Sequence, residues 1–315
     1  MQDTTDKEKV VDMIRTEDIW IHDPFVVTYE GKYYMYGTTC FPNHPHCDDT
    51  KSIYVYIGED LAEWENPKKV FTLPDNFWGV DELWAPEVHF YRGRYYLFVS
   101  ILGSNGLRGT QIAVSNTPDG EFKVISDRAA TPLTQSCIDG TLYVEDNVPY
   151  IVYSHDWPDN YIEREDYYLG EICACRLSDD LTVPVGEPFT LFRSNDAEWS
   201  RKEPTRQGWE GGYVWRYGSD GPFLQRMSNG TLLLVWSPIP AGNYLVASAI
   251  SKNGSIKGAW EHLDEKIFEN NGGHAMFFDS LNGKRKMCIH CPQRWPDERP
   301  IFLDVEECGD TYKVT

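Results

Sequence analysis

The sequence lacks any run of about 18 apolar residues, which excludes a membrane-spanning helix. Basic side chains are scarce: 29 Lys and Arg stand against 49 Asp and Glu, for a formal charge of −20. Binding to phosphates rests on Lys and Arg, so no nucleic-acid partner and no anionic membrane surface is expected. A neutral or cationic ligand is not excluded. Helical periodicity is almost absent after the first fifteen or so residues. The opening stretch, MQDTTDKEKVVDMIRTEDIW, has no apolar core and no small-residue cleavage site, so no signal peptide is read there. The expectation is a cytoplasmic protein, or a periplasmic or secreted one whose leader has been removed.

Eight cysteines are present without a metal-site spacing. Cys173 and Cys175 fall on one face of a strand, a poor geometry for pairing with each other. Cys288 and Cys291 form a single C-x-x-C with no second pair. Cys40, His44, His46 and Cys47 lie within eight residues and could bind zinc or close a disulfide, but are read as ordinary loop residues. What the chain does have is apolar and aromatic content. Of 315 residues 41% are hydrophobic, enough for a sizeable core, and there are 11 Trp, 19 Tyr and 14 Phe. Such aromatics suit either stacking on sugar rings or a β-sheet core.

Short runs of Val, Ile, Tyr, Phe and Thr alternate with Gly, Asn and Asp turn signals, which reads as all-β. Five segments share one layout of small or acidic start, apolar run, turn and second apolar strand. They begin at Asp23, Ala85, Asp139, Asp220 and His274, between 54 and 81 residues apart. Each is followed by another strand-like run ending in a polar turn. A hairpin plus one or two strands at that spacing is a propeller blade. We therefore expect a five-bladed β-propeller over residues 19–315, with blades of about four antiparallel strands around a central channel. Residues 1–18 would be an N-terminal extension. A pair of β-sandwiches would not explain the fivefold similarity.

If the first strand of each blade is innermost, all five starts ring one mouth of the channel. The segments 38–49, 101–109, 154–168, 237–243 and 290–299 would project over that face, where a binding site belongs. Three starts are aspartates: Asp23, Asp139 and Asp220. Carboxylates converging from three blades repel one another and sit partly desolvated, so at least one pKa should rise, as general acid–base work requires.

The motifs HDPF (22–25), WAPEV (84–88), CIDGT (137–141), SDGPF (219–223) and GGHAM (272–276), in this order, resemble those of glycoside hydrolase family 43. The resemblance covers nearly the whole chain after residue 20. It implies a five-bladed propeller and an inverting enzyme acting on arabinose-, xylose- or galactose-containing glycans. It also implies that Asp23 is the general base and that Asp139 orients the acid and holds its pKa up. Asp220 falls where the family usually has the general acid Glu before Gly-Pro, and is one methylene shorter. Glu210, in the upstream WEGGYVWRYG, is therefore the reserve acid, and Glu203 a more distant one.

His274 matches a histidine near a bound cation, so calcium at the propeller centre is the candidate ion; no other cofactor is expected. Phe25, Trp84, His155, Trp157 and Arg299 are the expected substrate-binding residues, with Arg294 and Trp295 at a neighbouring subsite. The partner is a carbohydrate. The alternatives are a non-catalytic carbohydrate-binding propeller and a retaining glycosidase or transferase of related fold.

Overall fold

The computed structural model describes residues 12–41, 49–155, 159–206 and 213–315. Six four-stranded sheets and one two-stranded ribbon make up its β-structure. Five of the sheets repeat one design, each built from strands met in chain order and paired antiparallel. Blade I holds His22–Tyr29, Lys32–Thr38, Ser52–Gly58 and Lys68–Thr72. Blade II holds Gly79–Tyr91, Arg94–Gly103, Arg108–Ser115 and Lys123–Val124. Blade III holds Cys137–Glu145, Val148–His155, Glu171–Arg176 and Phe189–Arg193. Blade IV holds Phe223–Arg226, Leu232–Trp236, Ala247–Ser251 and Glu261–His262. Blade V holds Gly273–Asp279, Arg285–Cys291, Arg299–Cys308 and Thr311–Val314.

The hairpins follow from local chemistry. Glu30-Gly31, Arg92-Gly93 and Asp146-Asn147 each place two consecutive residues at positive φ. That is the twist a two-residue turn needs to match its flanking strands. The second strands carry central, largely apolar runs because both of their faces are buried there. In blade II, Leu97 and Val99 join Tyr34, Tyr36 and Val55 of blade I, whereas the intervening Phe98 packs with Ile151 and Tyr153 of blade III. Blade III repeats the alternation: Val152, next to Ile151, turns to Leu234 and Trp236 of blade IV. Leu233 and Val235 of blade IV then face Phe277 and Met287 of blade V. A fifth cluster, Met276, Phe278 and Cys288 with Phe25, Val26 and Met35, joins blade V back to blade I. Five sheets with one apolar core between each consecutive pair, and the last core joining the ends, form a closed five-bladed propeller.

Two additions decorate the ring. Met13–Arg15 pairs with Glu63–Glu65, and the Trp64 indole N–H donates to Thr16 Oγ1 at 2.8 Å. The chain then crosses to blade V, where Trp20 Nε1 donates to Glu298 Oε2 at 2.9 Å. The sixth four-stranded sheet is built from insertions around blade III. Its order is Tyr161–Ile162, Tyr167–Leu169, Tyr213–Tyr217, Glu203–Arg206. Its third strand leads directly to Asp220.

Cys40 is disulfide-bonded, which corrects its reading as an ordinary loop residue. His44, His46 and Cys47 lie outside the described residues. Cys173, Cys175, Cys288 and Cys291 are free thiols, the first three buried.

Candidate active site

Each blade opens on a residue in the left-handed region: Asp23 (φ 55°), Ala85 (44°), Asp139 (55°), Gly221 (47°) and His274 (57°). In blades I, II, III and V a register slip at this point marks a β-bulge. For a side chain this conformation costs roughly 1–2 kcal/mol, so something must hold it. The Ala85, Asp139 and His274 amides donate at 2.8 Å to Thr38 Oγ1, Ser100 Oγ and Ser237 Oγ. The Asp23 amide donates to His290 Nδ1 at 3.1 Å. Every acceptor lies on or directly after the second strand of the preceding blade. These bonds knit the blades together around the mouth.

Blade IV departs from the pattern. Its left-handed residue is Gly221, whose amide donates to Asp139 Oδ2 at 3.0 Å. A Cβ on Gly221 would lie 2.8 Å from the His274 ring, so glycine is required there. Asp220 therefore stands one residue before the position of Asp23 and Asp139. The expectation of three equivalent aspartates is corrected: two are equivalent, and Asp220 reaches the mouth by a different route.

The three carboxyl groups line one cavity of about 540 Å³, together with His22, Phe41, Trp84, Arg108, Ile138, Arg216, Ile239, Gln293, Trp295 and Glu298. Asp23 is ringed by imidazoles. His22 Nδ1 lies 2.8 Å from Oδ2, and His274 Nδ1 lies 2.9 Å from Oδ1. Burial alone would raise the Asp23 pKa, but these two neighbours hold it well below the carboxylate range. Burial likewise opposes charge on His274, yet Asp23, 2.9 Å away, holds its pKa at about 9. His290 differs. Burial and the neighbouring His22 push it down to about 4. It is neutral, accepting from the Asp23 amide at Nδ1 and donating from Nε2 to Gln293 Oε1.

Asp220 sits in the opposite situation. Burial, followed by the like charge of Asp139, pushes its pKa well above the usual value. Tyr244, fully buried, donates its hydroxyl to Asp220 Oδ2 at 3.0 Å and stacks on His290. Arg216 is held by Glu203, with Nε to Oε1 at 2.7 Å. Burial raises the Glu203 pKa, and Arg216 opposes that rise. Across the pocket, the Arg108 guanidinium lies over the Trp84 ring at 3.2 Å and pairs with Glu82, while Phe41 meets Trp84 edge-on at 5.5 Å.

The other expected residues fall elsewhere. Phe25 is buried below the pocket, edge-on to His89 at 5.1 Å. His155 is locked between Glu171 and Asp159 at 3.1 and 3.0 Å, which against the effect of burial hold its pKa at about 9. Arg299 donates to the carbonyls of Glu17, Pro296 and Glu298, fastening the N-terminal crossing rather than reaching the cavity. Trp295 lines the pocket, and Arg294 pairs with Asp297. Trp157 and Glu210 lie outside the described residues. His22, Phe41, Arg108, Arg216, Gln293 and Tyr244 belong to the site but were not picked out from the sequence. All but Arg216 and His22 lie in or beside the segments expected over the mouth, which was the available signal.

His22, Asp23 and His290, and separately Asp139, Asp220 and His274, bring ligand atoms within 4.8 Å of one another. Calcium prefers six to eight oxygens. The first group supplies one carboxylate, and one of its imidazoles already accepts the Asp23 amide. The second supplies two carboxylates and an imidazole. Neither is an oxygen cage, so these residues do not fit a protein-held calcium, and His274 serves Asp23 instead.

Fold and site together define a five-bladed propeller with acidic groups of opposed protonation in a channel-mouth pocket. The sequence matches the glycosyl hydrolases family 43 over residues 19–304, and the chain belongs to that family. Among solved structures it is similar to the endo-arabinase from Bacteroides thetaiotaomicron. The TM-score is 0.81 at 31% identity, covering 94% of this chain and 98% of that one. It is also similar to the extracellular endo-α-(1→5)-L-arabinanase 1 of Bacillus subtilis, 25% identical over 150 residues, which is 44% of each chain. The probable arabinan endo-1,5-α-L-arabinosidase C of Aspergillus clavatus is 26% identical over 178 residues, 53% of this chain and 48% of that one. The chain thus matches about half the length of these two curated relatives.

Proposed function

We propose that the protein is an inverting glycoside hydrolase of arabinose-containing glycans, with α-1,5-linked arabinan as the first substrate to test. The observation that carries this reading is one cavity that Asp23, Asp139 and Asp220 all line, with Asp23 between two imidazoles at 2.8 and 2.9 Å and Asp220 desolvated beside Asp139. Asp23 acts as general base: it takes a proton from a water whose oxygen attacks the anomeric carbon. Asp220 acts as general acid: it gives its proton to the glycosidic oxygen as the bond to the anomeric carbon breaks. Burial and then the charge of Asp139 raise the Asp220 pKa, and Asp139 also fixes the backbone beside it through the Gly221 amide. Trp84, Phe41 and Trp295 offer apolar walls for a sugar ring, and Arg108 and Arg216 offer donors for its hydroxyls. No step runs through a metal.

The names of the similar enzymes support arabinan over xylan or galactan as substrate. One observation favours a second reading, a carbohydrate-binding propeller without turnover: Asp220 is shorter than the family's usual acid. Product analysis over arabinan, xylan and galactan oligosaccharides, with the anomer of the first product read by NMR, tests both. An inverted product from arabinan is expected. A retained anomer would overturn the mechanism, and binding without cleavage would favour the second reading.

A further inference from the structure

The insertion sheet beside blade III has no part in the chemistry above, yet one of its residues reaches the pocket. Arg216 lines the cavity and belongs to the strand Tyr213–Tyr217. In the sheet's register Tyr161 is opposite Tyr168, Tyr168 is beside Arg216, and Arg216 is opposite Glu203. Residues paired across neighbouring strands point to the same face. Tyr168 and Tyr161 therefore continue the line that starts at Arg216, one and two strand spacings further out, roughly 5 and 10 Å. Each step is comparable to the length of one sugar ring.

Exposure rises along this row from Glu203 to Tyr161. The Glu203 and Arg216 side chains are 7% and 17% exposed, and Tyr161 is 44% exposed. The two tyrosine rings lie 4.9 Å apart, tilted by 47°. The Tyr161 hydroxyl donates to Asp166 at 2.7 Å, which fixes the ring. On the opposite face, Tyr167 is buried and accepts from Asn195 Nδ2, so that side belongs to the protein interior. The row's only cation, Arg216, is paired with Glu203, so the outer positions suit a neutral ligand rather than an anion.

We propose that Tyr168 and Tyr161 form a distal subsite that holds the sugar units following the one seated at Asp23 and Asp220. This rests on the glycosidase reading and adds to it a direction for the chain: outward over the insertion sheet. Fixed aromatic rings give area and orientation at little entropic cost, the property needed to grip a flexible glycan.

The test compares the parent with Tyr161→Ala, an exposed position where loss of fold is not expected. The quantity read is the ratio of kcat/KM for α-1,5-arabinohexaose to that for arabinobiose. We expect the ratio to fall about tenfold in the variant, the size of one lost aromatic contact. Phe90→Ala, a still more exposed aromatic beside the Arg92-Gly93 turn of blade II, should leave the ratio where it was. An unchanged ratio in Tyr161→Ala overturns the subsite. If the parent turns over neither substrate, the glycosidase reading fails, and calorimetric binding of arabinohexaose judges the subsite alone. Weaker binding by Tyr161→Ala than by the parent then supports it. Equal affinities, or no binding by the parent, overturn it.

Discussion

Asp23 and Asp220 share one pocket and are both desolvated, yet their surroundings drive them to opposite charge states. Around Asp23, His22 and His274 stand within 2.9 Å of the carboxylate and overcome its burial. Around Asp220, the like charge of another carboxylate, Asp139, reinforces burial, and His274 opposes the two only in part. The difference teaches that in this pocket the backbone position does not assign the role. Asp139 occupies the same left-handed bulge as Asp23, but its Oδ2 accepts the Gly221 amide and its charge bears on Asp220. What divides base from acid is which side chains the neighbouring blades deliver.

Breaking the charged half of the comparison should have the largest effect. Asp23→Asn removes the group that activates water and should lower hydrolysis by at least about 10³-fold. Circular dichroism should show an intact fold; near-normal turnover by a folded variant would end the assignment. Breaking the protonated half should cost less, and selectively. Asp220→Asn should lose about 10²-fold or more on arabino-oligosaccharides while largely sparing aryl arabinosides with acidic phenols, which leave without a proton. Equal losses on both substrates would remove Asp220 from the acid role.

Tyr244→Phe sharpens the comparison further. The Tyr244 hydroxyl donates to Asp220 Oδ2, a bond that favours the charged carboxylate. Its loss should raise the Asp220 pKa. The alkaline limb of the pH–rate profile should therefore move up. A downward shift would contradict the geometry.

The smallest expected effect is on stability. His274 has a folded pKa of about 9, above its unfolded value, so its contribution is fully present below about pH 6.5. It should be lost as pH rises through 9. The melting temperature should fall from pH 7 to pH 10, and His274→Asn should flatten that slope. An unchanged slope would show that His274 does not carry this charge.

Much of the architecture was legible in the chain. The second strands read as apolar runs because both faces are buried, and the equal lengths of Asp23–Gly31 and Ala85–Gly93 gave matching hairpins. The blade IV register was misread by aligning aspartates. Pro24, Pro86 and Pro222 each follow the left-handed residue, and aligning on proline places Gly221, not Asp220, opposite Asp23. Arg108 and Arg216 were not legible, since their function depends on which turn they cap and which Glu holds them. Arg299 was assigned to substrate from its neighbours in sequence, but three carbonyls claim its guanidinium. His155, expected to bind substrate, pairs with Cys137 at the end of its strand and is sequestered by Glu171 and Asp159.

The opposed protonation of Asp23 and Asp220 can be measured without any substrate. Carbon-13 NMR of protein labelled at the aspartate carboxyl carbons, titrated from pH 3 to pH 9, resolves the two groups when the parent is compared with Asp23→Asn and Asp220→Asn. We expect the signal missing from Asp220→Asn to titrate well above the ordinary carboxylate range, and the signal missing from Asp23→Asn to remain that of a charged carboxylate down to the acidic end. Two ordinary titrations, or the reverse order, would contradict the division of base and acid between them.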